Sequence, residues 1–170
     1  DRAIAMVPWA VHAALVKRSA LSRDRYWPEQ LDRYFAEDTA FWFQLVNQCT
    51  VAYGKSEGAL YRMQTPQGRN QNSGPEKWFQ GIHAAIELNL QFLQDRRQAY
   101  TPAQCENLIN AYSTIYLFAR QEKAVHVESQ TLSIASEWLR EYFRVAKKPK
   151  LSILARRLLG LKLFLRLTRS

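Results

Sequence analysis

Beyond residue 75 the apolar positions recur every three to four residues, the period of a helix that buries one face. Phe79, Ile82, Ile86, Leu90 and Leu93 form one stripe. Leu108, Tyr112, Ile115 and Ala119 form a second, and Leu132, Ala135, Leu139 and Phe143 a third. Each stripe predicts a helix with one face in a core. Ser73, Pro75 and Glu76 suit the opening of the first helix. The second opens on Thr101-Pro102-Ala103-Gln104. A Thr N-cap, a Pro at the first helical position and a Gln able to bond back predict a capping box.

Before residue 65 the pattern is mixed. Residues 3–7, 11–16, 51–53 and 59–63 are short apolar runs that read as strands, the last two separated by a turn at 54–58. Between them Phe41, Trp42, Leu45, Val46 and Cys49 recur at helical spacing and predict a helix over 41–49. The stretch TPQGRNQNSGP has no apolar anchor and predicts a mobile surface loop. At the other end, 146–170 alternates leucines with Arg and Lys nearly all round a helical wheel. Its apolar runs fall far short of the roughly 20 residues a membrane span needs. The expected organisation is a mixed unit over 1–65, a loop at 66–75, a helical extension at 76–145 and a basic leucine-rich tail at 146–170, with three to four helices in the C-terminal extension. The chain is helix-dominated.

Composition adds that the 170 residues, 47% hydrophobic and 12% aromatic, suffice for a core. Charge changes the picture more. Of the 24 Lys/Arg, nine fall after residue 141 with no Asp or Glu among them, so the other 15 balance all 15 acids. The net charge of +9 is therefore a property of the tail. It gives no basic groove across the body, which disfavours a nucleic-acid reading. The tail is expected to make peripheral contact with anionic lipid, at about 1 kcal/mol of attraction per exposed Lys or Arg. Nucleic acid or a partner subunit is the alternative occupant for a non-enzymatic helical module. Cys49 and Cys105 have neither metal-ligand spacing nor a disulfide framework, so a reducing cytoplasmic setting is the default. Residues 2–16, interrupted by Pro8 and His12, do not read as a signal peptide.

The candidate chemistry centres on Glu37 and Asp38, just ahead of the helix at 41–49. Acids at a helix start are favoured by free backbone amides and the helix dipole. A carboxylate held there, ionised at neutral pH, can also act as a general base, and the two roles are compatible.

Five short segments follow one another over about fifty residues: Lys17-Arg18-Ser19-Ala20-Leu21, Trp27-Pro28-Glu29-Gln30-Leu31, Glu37-Asp38-Thr39-Ala40-Phe41-Trp42, Val51-Ala52-Tyr53 and Tyr61-Arg62. Their order resembles the acceptor-side half of the family-2 glycosyltransferases. The resemblance implies an α/β, GT-A-like remnant over 1–65, with the nucleotide-binding half outside these residues and this part alone inactive. It implies an inverting transfer of a sugar from a nucleotide-sugar donor to a saccharide or lipid-linked acceptor, at the cytoplasmic face of a membrane. Asp38 would be the general base and Glu37 its support. Arg62 would meet the donor diphosphate, with Arg69 a weaker partner, and the loop after Arg62 would close over the donor. Trp9 and His12 would contact the acceptor. A divalent metal, Mg or Mn, is expected with its ligands outside this chain. The sequence departs from the family at Gln44 and Gln64, where a basic residue and a His are frequent. It lacks the Gln-x-x-Arg-Trp signature of processive synthases, which disfavours polymer extrusion, and it lacks Asp-x-Asp.

Overall fold

The computed structural model describes residues 2–6, 14–21, 27–34, 36–52 and 74–167. Six α-helices follow in order: α1 (Glu37–Val46), α2 (Pro75–Asp95), α3 (Pro102–Gln121), α4 (Val125–Val145), α5 (Leu151–Leu159) and α6 (Leu161–Leu167). Short 3-10 turns stand at Arg2–Ile4, Arg18–Ala20 and Glu29–Tyr34. Among the described residues 76% are helical and none is in a strand.

The centre is the antiparallel pair α3–α4. Leu108, Ile109, Tyr112, Ile115 and Tyr116 are fully buried from one side and Val127, Ala135 and Tyr142 from the other. The start of α3 is fixed by the predicted capping box. Gln104 N–H donates to Thr101 Oγ1 at 3.1 Å, and Thr101 N–H donates to Gln104 Oε1 at 2.9 Å. The helix ends with Lys123 at φ 59°, where Ala124 N–H reaches Ala119 O at 2.8 Å. That left-handed residue turns the chain back into α4.

Helix α2 follows its predicted stripe, with Pro75 at its first position. Two further positions on it determine how the N-terminal region docks. Gly81 faces the Glu29–Tyr34 turn so closely that a Cβ there would lie 2.8 Å from Tyr34 Cβ and 2.9 Å from Tyr34 O. Fully buried Asn89 donates through Nδ2 to Ile4 O at 3.0 Å. The apolar run at 3–7 thus supplies a buried 3-10 turn at its start, with Ala3, Ile4 and Ala5 packed in the main core, where a strand was expected. A satellite cluster of Leu31, Ala36, Ala40 and Ala85 joins the Glu29–Tyr34 turn to α1 and α2.

The other expected strands fare differently. Residues 14–17 and 51–52 have no regular structure, and Val51 is exposed. The run at 59–63, the turn at 54–58 and nearly all of the predicted loop lie outside the described residues.

The tail is two short helices. Lys150 N–H donates to Tyr142 Oη at 3.0 Å, and the Lys150 ammonium pairs with Glu106, fixing the start of α5. Gly160, at φ 75°, breaks α5 from α6 in a backbone region that side-chain-bearing residues rarely adopt.

Candidate functional site

Helix α1 begins four residues earlier than its apolar spacing predicts. Its N-cap is Ala36, which has no side chain able to cap, so Glu37 and Asp38 occupy the first turn itself. Both carboxylates sit where the helix dipole favours negative charge. Asp38 shares a helical face with Phe41, Trp42 and Leu45, of which Trp42 and Leu45 are buried. Its carboxyl group therefore stands at the N-terminal end of the face that packs inward, and it is half-buried.

That position sets its proton affinity. Loss of solvent raises the Asp38 pKa above the ordinary 3.8. Hydrogen bonds from the Thr39 amide, the Thr39 hydroxyl and its own amide pull the other way without cancelling the rise. The Thr39 hydroxyl donates to Asp38 Oδ1 at 3.4 Å. The balance leaves a carboxylate with more affinity for a proton than one in water, which a general base requires. Glu37 is half-buried beside it.

An aromatic group borders this corner. The Trp27 and Phe41 rings lie 5.1 Å apart at 48°, and Phe41 meets Trp42 edge-on at 5.1 Å. Trp27 and Phe41 are each half-buried, and Trp27 Nε1 donates to Asp32 Oδ1 at 3.2 Å. A half-exposed indole and phenyl one turn from a carboxylate can offer a flat apolar face to a sugar ring. Trp27 went unnoticed as a binding candidate in the sequence because Phe41, its partner, lies fourteen positions away.

Glu37 and Asp38, neighbours in the sequence, both fall in the first turn of α1. Trp9, His12, Arg62 and Arg69 lie outside the described residues. His83 is a packed side chain, stacked on Phe79 at 5.2 Å with Nδ1 2.8 Å from Tyr112 Oη. Burial pushes the Tyr112 hydroxyl's pKa well above its usual 10. Burial likewise pushes the Cys105 thiol up to about 12, so that sulfur stays protonated and unreactive at neutral pH. Among the described residues no group of three His, Cys, Asp or Glu is placed to hold a metal ion. None of the described helices is long and apolar enough to cross a membrane.

No family model matches the sequence, and comparison with curated proteins and with solved structures returned no similar chain.

Proposed function

We propose that the chain is the acceptor-side part of an inverting glycosyltransferase in which Asp38 is the general base. The observation that carries the reading is the Asp38 carboxyl itself: half-buried, raised in proton affinity, and in the first turn of α1, one turn before the Phe41 ring that meets Trp27. In the proposed step an acceptor hydroxyl gives its proton to Asp38 as its oxygen attacks the anomeric carbon of a nucleotide-activated sugar. The bond from that carbon to the donor phosphate breaks and the nucleotide leaves with the electron pair. Glu37, one residue earlier in the same turn, supports the charge and position of Asp38. Trp27 and Phe41 offer a stacking face for the acceptor ring. Arg62, with Arg69 beyond it, meets the donor diphosphate, where a guanidinium can bond two oxygens at once. Trp9 and His12 complete the acceptor side. The finer architecture that accompanies the proposal is an α/β GT-A remnant over 1–65, with the nucleotide-binding half and the ligands of a Mg or Mn ion elsewhere in the parent protein.

The test is turnover of nucleoside-diphosphate sugars by the full natural protein, read as nucleotide release. Asp38→Asn keeps the side-chain shape and removes the base, so the rate should fall by about 10²–10⁴ with the helical circular dichroism unchanged. Turnover that survives this substitution removes Asp38 from the chemistry.

A second reading has its own observation. The exposed leucines and cations of α5 and α6 favour a helical module that works by docking, with or without catalysis at position 38.

A further inference from the structure

The leucines of the tail divide into two sets. Ile153, Leu161 and Leu165 are buried against the helical core. Leu151, Leu158, Leu159, Leu163 and Leu167 stay in water, with Leu158 76% and Leu163 48% exposed. On α6, Leu163 and Leu167 lie one turn apart, and Lys162 and Arg166 form the adjoining strip. An outward apolar row beside an outward cationic row is a surface with two chemistries.

That surface continues onto α4. Leu132 and Ser136 join residues 159–163 and Arg166 around an open depression of about 400 Å³. Leu139, Arg140, Phe143 and Arg144 join Arg157 around another of about 340 Å³. Positions 132, 136, 139, 140 and 143 succeed one another along one side of α4, so the two depressions lie in a row. Neither is lined by an acid. The guanidinium of Arg144 is oriented by Glu141 through bonds of 2.7 and 2.8 Å, and that of Arg157 lies 4.4 Å over the Phe143 ring. Lys162 and Arg166 have no ion-pair partner among the described residues.

We propose that the face formed by α4, α5 and α6 docks on an anionic phospholipid bilayer. The outward leucines enter the boundary between headgroups and acyl chains, while Lys162 and Arg166 at the larger depression and the arginines around the smaller one meet phosphate headgroups. Charge complementarity selects this occupant. The acid-free stretch from residue 142 calls for a negative partner, and the exposed leucines call for an apolar layer immediately beneath that charge. A nucleic-acid backbone meets the first demand and leaves the leucines in water. The inference does not depend on the glycosyl-transfer reading.

The experiment is co-sedimentation of the full chain with two vesicle types, phosphatidylcholine alone and phosphatidylcholine with about one-third phosphatidylglycerol. Binding should be strong to the second and weak to the first. Lys162→Glu with Arg166→Glu should weaken binding to the anionic vesicles by about tenfold or more. Leu163→Asn with Leu167→Asn should also weaken it, and the residual binding of this variant should be the more salt-sensitive. All four side chains are exposed, so each variant should keep its helical circular dichroism. Equal binding to both vesicle types, binding to neither, or binding indifferent to both pairs of substitutions overturns the proposal. So does retention of duplex DNA by a chain that ignores vesicles.

Discussion

Helices α3–α4 and α5–α6 draw on the same apolar period and use it differently. In the first pair the stripe is continuous over 20 and 21 residues, and each helix closes the other's face. In the second, nine and seven residues are broken by Gly160; Ile153, Leu161 and Leu165 are buried in the core and Phe164 packs partly against it. Periodicity predicts that a helix forms, whereas burial depends on whether another helix lies opposite. α5 and α6 have such a partner on one side only, and the leucines on the other side stay in water beside Lys162 and Arg166, which have no ion-pair partner among the described residues.

Substitution can sharpen or break that contrast. The largest expected effect is in the inner pair. Leu108→Ala removes a fully buried side chain and should cost about 2–5 kcal/mol, measured by denaturant unfolding. The matched change in the tail, Leu163→Ala, should stay within about 0.5 kcal/mol, because nearly half of that side chain already meets water. Comparable losses at the two positions would mean that the tail belongs to the same cooperative core.

Gly81→Ala comes next and asks how far the inner unit extends toward α1. The atoms that would meet the new methyl are the Tyr34 carbonyl oxygen and Cβ, neither the end of a flexible chain. The Glu29–Tyr34 turn must move, at about 1–3 kcal/mol for overpacking, partly offset by the better helix propensity of Ala. Since Ala36 and Ala40 pack in the same cluster, the first turn of α1 should move with it. Stability equal to the natural chain, read by thermal unfolding, would show that this contact is slack.

Legibility in the sequence follows the range of the interactions. The three helices beyond residue 75 and the Thr101 capping box rest on neighbours three or four positions apart and appear as predicted, although the buried face of α4 runs through Val127, Thr131, Ala135, Leu139 and Tyr142 and leaves Leu132 and Phe143 half-buried. The start of α1 was misplaced because Ala36 gives no capping signal, so the apolar spacing pointed to residue 41. The run at 3–7 reads as a strand locally. Its start is held as a 3-10 turn by Asn89, 85 positions from Ile4, and no window of sequence contains both. The Glu37–Asp38 pair was visible as chemistry, but the desolvation of Asp38 depends on how α1 is packed. The two depressions bring together three helices and have no sequence signature, although the acid-free stretch beside them is plain.

The same contrast between buried and solvated surface fixes the smallest and most specific expectation. A pKa raised in the folded state means that folding favours protonated Asp38. The stability contributed by that proton is fully present below 3.8, the unfolded value, and is lost as pH rises through the folded midpoint. Relative to Asp38→Asn, the natural chain should therefore weaken across that acidic window. The direct measurement is titration of the Asp38 side-chain carboxyl carbon by NMR, assigned by its loss in the Asn variant. A base poised at position 38 predicts a midpoint above 3.8. A midpoint at or below that value would mean a carboxylate already satisfied by the helix start, and would contradict the proposed chemistry.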